Sequence, residues 1–347
     1  MRTQRLSADS VFAFAPELEP VWGALALLGG EEKALASCRE VYGDAQLAVW
    51  QKEHRFLFEC FEAVKGRGAV NLMDALLELP AERFALEELR EALLALPARE
   101  RVWRLLDMES VEGAGRGEVE LALTDGAALD RLYARVAGDC GSFLAFSAFV
   151  QQNGRFLAEF FALARKMRSR ALLDALGRQE SRIEDAALSA QRDVEALGPL
   201  GFSEKVMGKT FKNRGPYAEF VFLPSLMMPY RCVRYYQTDG ERRRQLVFFS
   251  LRDPDRRRED TVRALRAVAD GTRYQILTLL AGEGPQRGMD IAKKVAIAAS
   301  TVSHHMEQLK EGGLITEEQV KNSKYYGLDR KSAALLLDEL KKDLRMK

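Results

Sequence analysis

Cysteine is scarce in this chain: Cys38, Cys60, Cys140 and Cys232 are the only four in 347 residues, and none forms a Cys-x-x-Cys pair. That scatter argues against a structural zinc site or a disulfide framework and leaves interior thiols as the plain reading. Histidine is scarcer still, with three residues, two of them adjacent at His304 and His305. The third, His54, falls on an apolar helical face and reads as a core residue. No His-Glu-x-x-His, Gly-x-Ser-x-Gly or glycine-rich phosphate loop occurs, and no carboxylates cluster at catalytic spacing. The sequence therefore does not read as an enzyme, and it calls for no cofactor and no metal. No apolar run approaches the roughly 20 residues that a membrane span needs. The first twenty residues hold two arginines but only a broken apolar stretch and no small-residue cleavage site. They make a poor signal peptide, and the expected compartment is the cytoplasm.

What the chain does have is length and core-forming residues. At 347 residues with 47% hydrophobic and 30% charged, it fits two or three folded domains. The net charge of +1 hides an uneven spread: from residue 261 onward there are 15 Lys and Arg against 11 Asp and Glu. The C-terminal piece is mildly basic, which agrees with a nucleic-acid partner without proving one.

Helical spacing dominates residues 1–200. Leu47, Trp50, His54, Leu57 and Phe61 recur every three or four positions, and further helical runs follow, divided by Pro80, Pro97 and the glycine-rich 112–117 loop. Phe143, Phe146, Phe149, Phe156, Phe160 and Phe161 crowd one helical stretch, as core or as the lining of an apolar pocket. Leu172, Leu176, Ile183, Ala187, Ala190, Val194 and Leu197 approach a 3–4 repeat, which suits a two-helix seam or a helix lying on its own domain. After Gly198-Pro199 the texture changes. Tyr217–Leu223, Arg231–Gln237 and Gln245–Leu251 are rich in β-branched and aromatic residues, and Asp239-Gly240 is a hairpin signal. A small antiparallel meander at 201–255 is expected. The arginine runs 242–244 and 256–258 flanking its last strand read as solvated edges or as a basic patch for phosphates.

From Thr261 the order is helix, apolar helix, short helix, turn, polar-faced helix and a two-stranded hairpin. That is the layout of a winged helix-turn-helix, which sets one helix in the major groove of DNA. Around the Ser300–Gln308 helix, at roughly 100° per residue, Val302, Met306 and Leu309 form a buried stripe. Ser300, Thr301, His304 and Gln308 face the other way, with Ser303 at the flank and His305 near the apolar boundary. Hydroxyl, imidazole and amide groups can hydrogen-bond base edges and phosphates. Lys293 and Lys294 on the short helix and Lys321 and Lys324 at the hairpin tip are placed for phosphates. The expected DNA contacts are thus Ser300, Thr301, Ser303, His304, His305, Gln308, Lys293, Lys294, Lys321 and Lys324.

Four ordered stretches carry a resemblance: 267–277 (AVADGTRYQIL), Ser300–Met306 (STVSHHM), Gly313-Leu314-Ile315, and Tyr325–Asp329 (YYGLD). Residues 261–345 resemble the winged helix-turn-helix of the ArsR family of bacterial transcriptional regulators. The resemblance implies a homodimer on double-stranded operator DNA, joined through first and last helices. Ala333, Leu336, Leu337, Leu340 and Leu344 give the last helix a dry stripe that needs a partner. This chain departs from the family in three places. Ala296-Ile297-Ala298-Ala299 replaces the usual Gly-Leu-Ser-Gln, removing the N-cap serine. Residues 288–295 hold no Cys or His, and the last helix lacks the Asp and His pattern of zinc sensors. Metal sensing at either family site is not expected. The 217–251 stretch resembles, more weakly, the segment before the DNA reader in larger members.

The whole reads as mainly α with small β elements: a helical regulatory region at 1–200, the meander at 201–255, and a winged helix-turn-helix at 260–347. The expected function is a homodimeric repressor whose N-terminal region answers to a small-molecule effector or a partner. The alternative is a DNA-binding protein whose N-terminal region is a docking or oligomerisation platform without ligand.

Overall fold

The computed structural model describes residues 2–30, 32–66, 68–240, 242–251, 254–320, 323–344 and 346. They form two compact units, Met1–Leu251 and Arg252–Lys347.

The first unit is built on a five-stranded mixed sheet. Its strands are β1 (Arg2–Arg5), β2 (Ser10–Phe14), β3 (Glu219–Ser225), β4 (Cys232–Tyr236) and β5 (Arg244–Ser250), in the order β1-β2-β3-β5-β4. The expected antiparallel meander is corrected here. β3 and β5 run parallel, with Phe222 opposite Val247. β2 joins β3 in parallel from the far end of the chain, with Phe12 opposite Phe222. Only the outer pairs, β1 with β2 and β4 with β5, are antiparallel. The reason is legible in β3, where Phe220, Val221, Phe222 and Leu223 are all buried. A strand apolar on both faces needs cover on both faces, the condition of parallel sheets and not of a half-solvated meander.

Helices supply that cover. On one face α1 (Glu19–Gly29) brings Trp22 to 5.1 Å from Phe248. At its first turn the buried Glu19 carboxylate accepts from the backbone N–H of Met227 at 2.8 Å and from Ser225 Oγ at 3.0 Å. This charge-assisted clasp ties α1 to the end of β3. Behind α1 lies α2 (Asn153–Met167), where Phe156, Phe160 and Phe161 are buried; Phe149 packs edge-on against Phe156 at 5.1 Å. Of the phenylalanine-rich stretch, Phe146, Phe149, Phe156, Phe160 and Phe161 are packed core, while Phe143 is exposed. His54 is buried there too, and burial pushes its pKa down.

The opposite face takes α3 (Glu180–Met207), which bends where Gly198 adopts φ +70 ahead of Pro199. Its Ile183, Ala187, Ala190 and Val194 are buried, and Phe202 meets Phe222 at 4.5 Å. The 3–4 repeat thus lies on its own unit. Arg244 is buried as well, with Glu219 at 2.8 Å and the Leu76 and Leu79 carbonyls beside it. It is an interior anchor and no part of a basic surface. The side chains of 256–258 lie outside the described residues.

The second unit runs α4 (Pro254–Val268), α5 (Gly271–Glu283), β6 (Gln286–Arg287), α6 (Gly288–Val295), α7 (Ala299–Glu311), β7 (Ile315–Val320), β8 (Ser323–Leu328) and α8 (Arg330–Asp343). β6, β8 and β7 form a small antiparallel sheet in that order. Its core gathers Ala264, Ala267, Ile276, Leu280, Ile291, Val302, Met306, Leu309, Leu314 and Ile315. Gly312 is required by contact: a Cβ there would sit 2.9 Å from the Ala267 Cβ, so only glycine lets α7 end against α4.

Candidate nucleic-acid interface

α7 divides as its sequence periodicity demands. Val302, Met306 and Leu309 are buried, while Ser300, Thr301, Ser303 and His304 are exposed. Ser303 Oγ donates back to the Ala299 carbonyl at 3.2 Å, and Gln308, half-buried, donates to Glu311 at 3.3 Å. His305 is not brought together with them. Its side chain is 12% exposed, and Nδ1 stands 4.0 Å from Oδ1 of Asp270, the residue that caps α5 through the Arg273 N–H. The imidazole lies between α7 and the start of α5, its Nδ1 buried without a hydrogen-bond partner among the described residues.

The start of α7 lacks a cap side chain. Ala298 occupies the N-cap and makes no side-chain hydrogen bond. Just before it, Ala296 ends α6 in the left-handed region, φ +59. Both are alanines where the resemblance sets glycine and serine.

A groove of about 420 Å³ joins four elements on this side of the unit. Arg287, Met289, Asp290 and Lys293 line it from β6 and α6, Ser303 from α7, and Lys324 and Tyr326 from β8. Three expected contact residues, Lys293, Ser303 and Lys324, thus share one concave surface, with Arg287 added to them. Sequence reading missed Arg287 because β6 is only two residues long, too short for any periodicity. Pairing with Tyr325 and Tyr326 of β8 is what fixes its place.

The lysines differ in availability. Lys293 is exposed and has no hydrogen bond or ion pair among the described residues. Lys294 is tied to Glu283 and, at 2.8 Å, to Gln286. Lys324 sits 2.9 Å from Glu317, which also meets Lys310 at 3.0 Å. Hydrogen bonds from the two ammonium groups, Lys324 first, hold the Glu317 carboxyl below the usual range. Arg287 is shared with Asp290 at 2.9 Å. Lys321 lies outside the described residues.

Residues 270–317 match the family described as bacterial regulatory protein, arsR family. The transcriptional repressor SdpR of Bacillus subtilis (strain 168) is 36% identical over 64 residues, which cover 18% of this chain and 70% of the relative. The chain belongs to the arsR family. It does so through its C-terminal unit, an arsR-type DNA-binding transcriptional regulator domain set in a longer chain. A Staphylococcus aureus homolog of the cadmium resistance regulatory protein CadC is 29% identical over 80 residues, 23% of this chain and 66% of the relative. In the arsR-family unit here, 288–295 contain no Cys or His. Among the described residues no group of three or more His, Cys, Asp and Glu is placed to hold a metal ion. A solution structure of a homodimeric winged helix-turn-helix DNA-binding domain from Mycobacterium bovis is 29% identical. It covers 27% of this chain and 92% of that one, with a TM-score of 0.23. Among the described residues no helix is long and apolar enough to cross a membrane.

Proposed function

We propose that the protein is a homodimeric transcriptional repressor that binds operator DNA through the polar side of α7. One observation carries the reading: Ser300, Thr301, Ser303 and His304 stand exposed on a helix whose other side is anchored in the unit's core. Such a helix can lie against base edges while the cations beside it meet phosphates. Lys293, Arg287 and Lys324 serve the phosphates, and His305 serves the fold. The dimer contact is α8 with α4. Leu337 and Leu344 are 59% and 61% exposed and Val262 is 42% exposed, an apolar set that a second copy would cover. Two recognition helices must then meet half-sites about 34–36 Å apart, so a small rotation between copies releases DNA. The first unit supplies the signal, from a small molecule or a partner protein. The ring-on-ring packing of its phenylalanines favours the second reading, a docking or oligomerisation platform without a ligand.

The test is to select binding sites genome-wide and then titrate the purified chain against the recovered duplex and a scrambled one. Tight, salt-sensitive and sequence-selective binding is expected. Equal affinity for both duplexes at every salt concentration would defeat the proposal.

A further inference from the structure

The outer strand of the first unit ends in an unfinished ladder. β1 lies at the margin of the sheet and pairs on one side only, with β2. All four of its residues are exposed. The Leu6 N–H donates to the Ser10 carbonyl at 2.9 Å. Backbone groups alternate sides along an antiparallel ladder, so Leu6, Gln4 and Arg2 turn theirs toward β2, while Thr3 and Arg5 turn theirs outward. Charged side chains commonly guard such an edge against pairing. Here they are engaged elsewhere: Arg2 pairs with Glu180 and Glu184 of α3, and Arg5 donates to the Ala8 carbonyl. Beside the edge, Arg2, Thr3, Gln4 and Phe12 face Ile183, Ala187 and Leu188 of α3 across an open groove of about 490 Å³. Leu188 is 59% exposed at its rim.

We propose that a second copy of this chain occupies the edge, its β1 pairing antiparallel with the first across a two-fold axis through Gln4. Residues opposite one another in an antiparallel pair share a face, and this axis satisfies that rule throughout. Gln4 meets Gln4, Thr3 meets Arg5, and Arg2 meets Leu6. Thr3 and Arg5 exchange backbone hydrogen bonds in both directions, so every outward N–H and C=O of the strand gains a partner. No arginine opposes an arginine. A one-residue slip in one direction would set Arg2 directly against Arg5, like charges opposed, and a slip in either direction sets outward backbone groups opposite inward ones; both are disfavoured. Gln4 is on the same face as Phe12, its register partner in β2. The incoming Arg2 and Gln4 therefore enter on the α3 side. There they wall the groove beside Leu188. The contact is independent of the DNA reading and of α8.

Cross-linking of the full-length chain tests it. In this register the two Gln4 Cα atoms are a non-hydrogen-bonded pair about 4.5 Å apart, inside the roughly 4.4–6.8 Å range of disulfides. Gln4→Cys is expected to give mostly covalent dimer under mild oxidation, at least tenfold more than the parent chain with its native cysteines. Arg5→Cys, next along the strand, is expected to stay at the parent level, because its counterpart in the second copy is displaced by two residues. Thr3→Pro in the Gln4→Cys background removes an outward N–H without touching the β1–β2 bonds, and is expected to abolish the cross-link. Gln4→Cys remaining uncross-linked, or Arg5→Cys linking as readily, would overturn the proposal.

Discussion

Single side chains in the α7 groove differ enough to be told apart by measurement. His304 is exposed and His305 is covered against Asp270, although they adjoin in sequence. His304→Ala is expected to weaken operator binding by about 1–3 kcal/mol, the worth of a good base contact, with little loss on scrambled DNA. His305→Ala should instead lower the melting temperature of the second unit. Lys293 and Lys294 separate in the same way. Replacing the unpaired Lys293 with Gln should reduce the slope of log affinity against log salt by about one. Lys294→Gln, whose ammonium is already taken by Glu283 and Gln286, should leave it nearly unchanged. Equal slopes for the two variants would remove Lys293 from the phosphate contacts. In the first unit, burial pushes the Asp74 carboxyl up to about 6 despite Arg104 at 2.7 Å. The unfolded carboxyl titrates near about 3.9, so the folded state holds the proton more tightly between those values. The stability this adds is full at low pH and is lost as pH rises through about 6. Asp74→Asn should flatten that dependence, seen as a wild-type-minus-variant melting difference that falls, toward or below zero, from pH 4 to pH 7. A constant difference would contradict it.

At the scale of elements, the turn into α7 is built from alanines where the family pattern has better residues. Ala296 holds φ +59 without glycine's freedom, a strain of about 1 kcal/mol. Ala298 leaves the first turn of α7 without a side-chain cap, at a cost of about 1 kcal/mol. Ala296→Gly and Ala298→Ser should each stabilise the unit by about that much in denaturant titration; a loss of stability in either would show the local account to be mistaken. These positions show why parts of the chain were legible. Val302, Met306 and Leu309 recur at helical spacing, and the buried side of α7 follows from that alone. Asp239-Gly240 marked the β4–β5 hairpin for the same local reason. The parallel pairing of β2 with β3 could not be read so, since it joins residues 210 positions apart and local patterning carries no pairing direction. β6 was hidden by its brevity. The inward turn of His305 sets it against the start of α5, an element that the helical wheel of α7 does not include.

For the whole molecule, two separable contacts between copies are at stake, and each has its own readout. Operator affinity depends on linking two recognition helices, so it should follow α8. The Leu337→Glu, Leu344→Glu double variant sets carboxylates in the apolar set that a second copy would cover, where unpaired charge is strongly disfavoured. It is expected to lose at least tenfold in operator affinity, because the half-sites are then met one at a time, while binding to scrambled DNA, which depends on the cations of one unit, changes little. The same variant carrying Gln4→Cys should still form the β1 cross-link, since that edge lies in the first unit. If the double variant keeps full operator affinity, the dimer that reads DNA is not held by α8. The contact at β1 would then be the first to examine in its place, by asking whether Thr3→Pro alone costs operator affinity.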